Sequence, residues 1–205
     1  MTRGKFITLE GIDGAGKSSH LDFLRELVTR RGHEAIVTRE PGGTDFGKRL
    51  RDVVLHHSTS ALAEALVMFA DRAAHVEGDI EPALASGTWV ICDRFSDSTY
   101  AYQCGGRGLG REVVLRLEEI SHPGLQPDVT FLFDIDPAAA HRRQQGREQQ
   151  ADGFESRGLD YFVRVRNAYL ERAREHAARI RLVDASGDLD MVRRGLEQRF
   201  REAFA

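Results

Sequence analysis

Short apolar runs alternate with longer helical repeats along most of the chain. Five runs rich in β-branched and aromatic residues predict strands at 5–10, 34–39, 88–93, 129–135 and 179–184. Several of these runs are apolar almost throughout, which is typical of strands covered on both faces. Between them, apolar residues recur every three or four positions and predict helices at 17–31, 45–57, 61–86, 97–103, 110–121, 137–146, 156–178 and 188–203. The long third helix is expected to break near Gly78 or Pro82.

This order of elements predicts an α/β fold, a mainly parallel sheet with helices on both faces. The chain has 205 residues and no linker-like stretch, so we expect one domain over residues 1–205. In parallel sheets, ligands bind beyond the carboxyl ends of the strands. The first places to look for a site are therefore the segments that follow Glu10, Arg39, Asp93, Asp134 and Asp184.

Composition and charge narrow the classes of protein that fit. The formal net charge of −3 disfavours a nucleic-acid-binding protein, which would usually carry a basic excess. Cys92 and Cys104 form no C-x-x-C pair, which fits free thiols in a reducing compartment. No apolar run approaches the ~20 residues that a membrane span needs, and the start of the chain does not resemble a signal peptide. We therefore expect a cytoplasmic protein with no membrane partner.

A glycine-rich loop lies between the first predicted strand and the first predicted helix. Its sequence, GIDGAGKS at 11–18, matches the phosphate-binding pattern G-x-x-x-x-G-K-[ST] in the required strand–loop–helix context. Glycines let backbone N–H groups converge on anionic oxygens, and the start of the helix adds its unpaired N–H groups. Lys17 would contact the β- and γ-phosphates, and the hydroxyl of Ser18 would ligate Mg²⁺. The loop therefore predicts a nucleoside triphosphate site.

The residues that end the third strand separate the classes of protein that share this loop. A regulatory GTPase needs Asn-Lys-x-Asp to read guanine, but the chain's one asparagine, Asn167, lies inside a predicted helix. A hydrolytic motor usually follows its strand-end Asp with a water-activating Glu, whereas Asp93 is followed by Arg94. Asp93 would serve Mg²⁺, and Arg94 offers a planar fork to a phosphate. Asp134 and Asp136 stay open as a rival metal-binding pair.

Further cations follow predicted strands or lie in loops. Arg39 precedes two glycines in TREPGGT, and Arg107 lies in GGRG. The polar segment 141–158 is punctuated by glycines and would form a lid that excludes water, with a solvated loop as the alternative. Arginines around a phosphate loop without a water-activating Glu indicate transfer between two phosphorylated substrates. This arrangement is typical of a nucleoside monophosphate kinase.

The motifs resemble those of the bacterial thymidylate kinases over essentially the full length. The segments that carry the resemblance are GIDGAGKSS, TREPGGT, LVMFADRAAH, EPALASGTWVICDRFSDSTYAYQCGGRG, QPDVTFLFDI and FESRGLDYFVRVRNAYLE, in order. The resemblance implies a P-loop kinase fold with a five-stranded parallel sheet, usually a homodimer. It also implies transfer of the γ-phosphate of ATP to dTMP, giving dTDP, with Mg²⁺, on the route to dTTP.

The resemblance also implies roles for individual residues. Arg39 and Arg94 would hold the monophosphate with help from Arg51, and Asp13 would lie near the sugar 3′-hydroxyl. Phe69 would stack on thymine and Arg72 would reach a ring carbonyl. Thr99, Tyr102 and Gln103 would read the base and test the sugar for a missing 2′-hydroxyl. Arg142, Arg143 and Arg147 would be lid cations near the transferring phosphate. The residues expected to hold ATP are Gly11, Ile12, Asp13, Gly14, Ala15, Gly16, Lys17, Ser18, Ser19 and Arg143.

The residues by themselves, without the resemblance, leave some of these roles undecided. Phe69 and Arg72 are three positions apart, so both can point to one face of a helix. Phe69 would by itself be read as a core residue, and relatives often place the stacking aromatic where this chain has Met68.

Two alternative functions also remain for the whole protein. They are a kinase with a different small acceptor, and a nucleotide-binding switch or scaffold.

Overall fold

The computed structural model describes residues 2–145 and 158–205. Within them, five parallel strands form one sheet in the order β2-β3-β1-β4-β5. The strands are β1 Phe6–Glu10, β2 Ala35–Arg39, β3 Trp89–Asp93, β4 Val129–Asp134 and β5 Ile180–Asp184. Each coincides with a predicted strand to within one residue at either end. The prediction of an α/β fold with a five-stranded parallel sheet is confirmed.

Helices connect the strands on both faces of the sheet. They are α1 Leu21–Arg30, α2 Asp45–His56, α3 Ala61–His75, α4 Glu81–Ala85, α5 Ser96–Thr99, α6 Arg111–Ser121, α7 Pro137–Gln145, α8 Leu159–Glu175 and α9 Leu189–Ala203. A 3₁₀ turn at Lys17–His20 leads into α1. The break predicted in the third helix is a π-helical turn, Val76–Ile80, which joins α3 to α4. A second π-helical stretch, Tyr100–Gly106, continues α5.

Burial follows the position of each strand in the sheet. Every residue of the central strand β1 is buried, and so are most residues of β3 and β4. The edge strands are more open: β2 has only half-buried and exposed residues, and β5 has two buried residues among half-buried and exposed ones. One core cluster packs around Ile7, Leu9 and Phe131, and a second packs around Phe6 and Phe95. The uniformly apolar runs in the sequence are therefore the strands with two covered faces.

The topology brings two polar loops together at one edge of the sheet. The chain leaves β1 toward β2 on one side of the sheet and leaves β4 toward β5 on the other, so a crevice opens at the carboxyl ends of these two paired strands. Leu9 is paired with Asp93, which places the glycine-rich loop after β1 beside the Asp93–Arg94 segment after β3. No helix in the described ranges combines the length and the apolar character that crossing a bilayer requires.

Candidate active site

The loop after β1 adopts a conformation that its glycines make accessible. Gly11, Gly14 and Gly16 have φ angles of 139°, 83° and 86°, in the region that favours glycine. A Cβ at Gly11 would lie 2.5 Å from the carbonyl oxygen of Phe133, and one at Gly14 would lie 2.5 Å from that of Ala140. The loop therefore packs tightly against β4 and α7, with its backbone as the surface that it presents.

Lys17 is enclosed by its own loop. Its side-chain Nζ donates to the carbonyl oxygens of Gly11 and Ile12, at 3.0 and 3.2 Å. Burial lowers the pKa of Lys17 to about 8, and the nearby charge of Arg94 acts in the same direction. Ser18 and Ser19 are exposed in the 3₁₀ turn that follows. The ammonium is thus held at the mouth of the loop by acceptors that a phosphate could replace.

Arg94 spans the gap between the two polar loops. Its guanidinium donates to the carboxylate of Asp13 at 2.5 Å and to the carbonyl oxygen of Gly11 at 3.0 Å. The hydroxyl of Tyr102 donates to the other oxygen of Asp13 at 2.8 Å. Burial alone would raise the pKa of Asp13, but the charges of Arg94 and Lys17 outweigh it and keep that pKa below its usual value. The backbone of Arg94 has a φ of 76°, which a non-glycine residue rarely adopts.

Glu10 anchors the segment that follows Arg94, a role that the sequence analysis missed. Its buried carboxylate accepts hydrogen bonds from the backbone N–H of Phe95 at 2.7 Å, from Ser98 at 2.6 Å and from Tyr169 at 2.8 Å. Burial raises the pKa of Glu10 to about 7, and the charge of Asp97 adds to the shift. The sequence feature that could have indicated this role is an acidic residue at the end of an otherwise apolar strand.

Asp93 has the features of a metal ligand. Within the part of the chain that the structure describes, its buried Oδ1 has no hydrogen-bond partner, which is costly for a carboxylate oxygen unless a cation or water meets it. The two rivals have other partners. Asp134 accepts two hydrogen bonds from Arg166, at 2.6 and 2.9 Å, and Asp136 caps the start of α7. The donor set of Asp93 and Ser18, both at the cleft, fits the oxygen ligands that Mg²⁺ prefers.

A cleft of about 610 Å³ lies over these loops at the carboxyl edge of the sheet. Predicted site residues from both substrate halves line it together. They are Asp13, Gly14, Gly16, Lys17, Ser18, Arg39, Arg51, Arg72, Asp93, Arg94, Thr99, Tyr102 and Gln103. Arg39 is exposed at its rim, and Arg51 donates to the carbonyl oxygen of Pro41 at 3.3 Å. The cleft thus places the phosphate loop opposite a group of arginines.

Arg72 is held rigidly at the inner wall of the cleft. Its Nε donates to Glu40 at 2.7 Å, and its Nη1 donates to the hydroxyl of Thr99 at 3.3 Å. The other oxygen of Glu40 is hydrogen-bonded to His75 Nδ1 at 2.9 Å, and His75 Nε2 is bonded to Thr38 at 2.7 Å. Glu40, His75 and Cys92 lie close enough to suggest a metal cluster. Their donors and acceptors are instead used within the protein, so this cluster is a hydrogen-bond network that orients Arg72.

Phe69 does not occupy the place that the resemblance implies. Its ring is buried beneath Arg72, 4.6 Å from the guanidinium carbon, and stacks on His122 with a centroid distance of 6.3 Å. Among the described residues, those that line the cleft include Met68 and not Phe69. Met68 therefore lines the cleft in place of Phe69, because Met68, four positions before Arg72, shares the helix face of Arg72 more closely. The expectation that Phe69 stacks on the base has no support from its position.

The π-helical stretch Tyr100–Gly106 forms the opposite wall. Tyr102 and Gln103 both line the cleft. A Cβ at Gly105 would overlap Ala168, and one at Gly106 would lie 2.5 Å from the ring of Tyr161, so this backbone packs directly on α8. Arg107 was grouped with the cations around the phosphate loop, but its guanidinium bonds Glu64 and the carbonyl oxygen of Thr59 instead.

The predicted lid is described in part. Arg142 is exposed on α7. Arg143 donates to the carbonyl oxygens of Ala185, Ser186 and Gly187, at 2.7–2.9 Å, in the loop that follows β5. Arg147 and most of the predicted lid lie outside the described residues.

Comparison with known proteins gives one consistent result. A family model described as thymidylate kinase matches residues 9–195. A thymidylate kinase from Thiobacillus denitrificans is 50% identical over 189 residues, 92% of each chain. One from Methylobacillus flagellatus is 47% identical over 200 residues, 98% of each chain. A crystal structure of thymidylate kinase from Ehrlichia chaffeensis superposes with a TM-score of 0.79 at 28% identity, covering 97% of this chain and 99% of that one.

Proposed function

The chain belongs to the thymidylate kinase family, and from this we propose that it transfers the γ-phosphate of ATP to dTMP, giving dTDP and ADP in the synthesis of dTTP. The observation that carries the proposal is that one cleft is lined both by Lys17 with the glycine loop and by Arg39, Arg51 and Arg94. A phosphate loop alone serves many reactions. A second group of cations opposite it fits an acceptor that is itself phosphorylated.

On the donor side, the loop would hold the triphosphate of ATP. Its backbone N–H groups and the start of the 3₁₀ turn face anionic oxygens, and the Lys17 ammonium would exchange the carbonyls of Gly11 and Ile12 for phosphate oxygens. Arg143 lies against the loop after β5, where it would border the rest of the nucleotide.

On the acceptor side, Arg39, Arg51 and Arg94 would hold the phosphate of dTMP. Bidentate guanidinium contacts suit this role because they fix the direction of the phosphate as well as its charge. Asp13 and Tyr102, already joined by a hydrogen bond, would border the sugar. Arg72, Thr99 and Gln103 would contact the base, with Met68 in the place first expected of Phe69.

Asp93 and Ser18 would hold a Mg²⁺ ion, and Asp93 would meet it with the buried oxygen that is otherwise unpaired within the described ranges. When bound, the ion supplies positive charge to the phosphate oxygens of ATP. The protein's own contribution is to hold donor and acceptor in line and to neutralise charge on the transferring group, through Lys17 and Arg94. No general base is required, because a phosphate with a second pKa of about 6 is largely a dianion at neutral pH.

Segment 141–158 would act as a lid over the phosphates. Arg142 and Arg147 would then bring further positive charge to the transferring group, as Lys17 does from below. Water excluded by the lid could not compete with dTMP as the acceptor.

The protein would work as a homodimer. Neighbouring helices α2 and α3 carry exposed apolar side chains at helical spacing, Phe46 and Val53 on α2 and Leu62 and Leu66 on α3, which are 43–53% exposed. A face of this kind is typical of an interaction surface.

We also place the enzyme in the cytoplasm, since its two cysteines are free thiols. With a net charge of −3 we expect no nucleic-acid partner.

The test is a panel of acceptors with ATP and Mg²⁺. ADP release should depend on the acceptor, and dTMP should give the highest kcat/KM among dTMP, dUMP, dCMP, dAMP and dGMP. A different preferred acceptor would contradict the substrate assignment. Nucleotide binding without acceptor-dependent turnover would favour a switch or scaffold.

A further inference from the structure

We propose that Glu64 and Arg107 are positioning residues that set which face of the Gln103 amide the cleft presents, and so make it select a 4-oxo pyrimidine over a 4-amino pyrimidine. The proposal rests on the proposed function, because it concerns how the acceptor's base is read. Glu64 and Arg107 have no part in the mechanism above, and among the described residues neither lines the cleft.

The three side chains form one network, which is buried at Glu64 and Gln103 and half-buried at Arg107. The Nε2 of Gln103 donates to Oε1 of Glu64 at 2.6 Å. Arg107 donates to the other oxygen of Glu64 and, at 2.5 Å, to the backbone carbonyl oxygen of Thr59. Glu64 and Gln103 are 3% and 2% exposed, so water competes little for these bonds.

The chemistry of a carboxylate fixes the orientation of the amide. Two oxygens of an ionised carboxylate can only accept, so Glu64 has to meet the NH₂ side of Gln103. The flipped amide would oppose two acceptors and leave a buried donor unpaired, which is expensive in the protein interior. The amide oxygen of Gln103 is then the acceptor that remains for a ligand in the cleft.

The backbone beneath Gln103 is fixed as well. Gly105 and Gly106 pack directly on α8, with no space for a side chain between them and Ala168 or Tyr161. Glu64 lies in the first turn of α3, a helix whose N-terminus is capped by Ser60. The network therefore joins two rigid elements, and the amide has little freedom to find another partner.

Arg72 supplies the complementary half of the recognition. Its guanidinium can only donate, and Glu40 and Thr99 hold it on the same cleft. A donor and an acceptor together match a ring carbonyl beside an imide N–H, as in thymine and uracil. Cytosine presents an amino donor and an unprotonated ring nitrogen at the same edge, so both of its contacts would be mismatched. A site built to pair such groups rejects the mismatched base strongly.

The test compares the variant Glu64→Gln with the wild type on dTMP, dUMP and dCMP. In this variant the single carbonyl of the new amide faces two donors, Arg107 and Gln103, so the Gln103 amide is released to flip. We expect the kcat/KM ratio of dTMP to dCMP to fall by about tenfold or more. The ratio of dTMP to dUMP should stay unchanged, because those two bases differ only by a methyl group and share the same edge.

Two further variants separate positioning from general damage. Glu118→Gln makes the same change in another buried glutamate, which pairs with Arg172 away from the cleft. It should alter stability without altering the dTMP-to-dCMP ratio. Gln103→Ala should lower that ratio by itself, and adding Glu64→Gln to it should produce no further change, since Glu64 acts through Gln103.

If Glu64→Gln does not fold, Glu64→Ala carries the test, because it also removes the carboxylate that holds the Gln103 amide, while Arg107 keeps its bond to the carbonyl oxygen of Thr59. An unchanged dTMP-to-dCMP ratio in whichever Glu64 variant folds would overturn the proposal. So would an equal effect of Glu118→Gln. A wild-type protein that does not phosphorylate dTMP would instead overturn the proposed function, which keeps the two failures distinct.

Discussion

At the scale of single residues, two cations of the cleft, Lys17 and Arg94, already have partners within the protein. Lys17 is bonded to two carbonyl oxygens of its own loop, and Arg94 to Asp13 and Gly11. When a nucleotide binds, its phosphate oxygens would replace those partners, and the two side chains are already ordered before that exchange. Because the groups are held beforehand, less conformational entropy is lost when a nucleotide binds.

Lys17→Ala tests the role of the loop lysine. A charge-assisted hydrogen bond contributes about 1.5–3 kcal/mol, so the rate of transfer to dTMP should fall by about one to two decades or more. The measurement is steady-state ADP release, with circular dichroism to show that the variant is folded. Lys48→Ala removes an exposed lysine that pairs with Asp45 and should retain wild-type turnover. Wild-type turnover in the Lys17 variant would contradict the assignment.

Met68 and Phe69 give a second prediction at this scale. Met68→Ala removes a side chain from the cleft and should raise the KM for dTMP several-fold, with a smaller effect on the KM for ATP. Phe69→Leu changes a ring packed between Arg72 and His122, so it should lower the free energy of unfolding by about 1 kcal/mol. Steady-state kinetics and urea denaturation distinguish the two effects. A larger rise in the dTMP KM from the Phe69 variant would restore the original expectation for that residue.

At the scale of elements, Glu10 joins the end of β1 to α5 and α8. It accepts hydrogen bonds from the N–H of Phe95, from Ser98 in α5 and from Tyr169 in α8. These contacts fix the backbone next to Arg94, which has a left-handed conformation. One buried carboxylate therefore holds three elements in register around the cleft.

The raised pKa of Glu10 predicts a dependence of stability on pH. The folded state keeps the proton of Glu10 up to about pH 7, whereas the unfolded chain releases it near 4.5. Between these values the folded state binds more protons, so its stabilisation falls as the pH rises and levels off above pH 7. The difference in unfolding free energy between the wild type and Glu10→Gln should decline by up to about 3 kcal/mol from pH 4.5 to pH 8. Urea denaturation across that range measures it, and a constant difference would refute the shift.

The strands and the phosphate loop could be predicted from sequence because both have local signatures. Uniformly apolar runs mark the buried strands, and the glycine spacing marks the loop. The π-helical stretch Tyr100–Gly106 could not be predicted, since it follows no regular period and depends on packing against α8. The roles of Glu10, Glu40 and Glu64 depend on partners distant in the sequence, and the same is true of Arg107. The choice between Met68 and Phe69 depends on a few tens of degrees of helix rotation.

At the scale of the whole molecule, the apolar face of α2 and α3 leads to a prediction about assembly. Leu66→Glu places a charge where a second copy would pack, so we expect the wild type to sediment as a dimer and the variant, at the same concentration, as a monomer. Leu189→Glu, which changes an exposed leucine on α9, is the matched control and should leave the sedimentation coefficient unchanged. Dimers of undiminished affinity in the Leu66 variant would place the interface elsewhere.

The close packing of Gly105 and Gly106 on α8 bears on how such an enzyme could be engineered. With this backbone packed directly on the side chains of Ala168 and Tyr161, the wall cannot move back to admit a bulkier nucleoside without separating α8 from the body of the protein. Libraries aimed at unnatural pyrimidines should therefore leave the pair of glycines untouched and vary Met68, where a side chain alone sets the clearance.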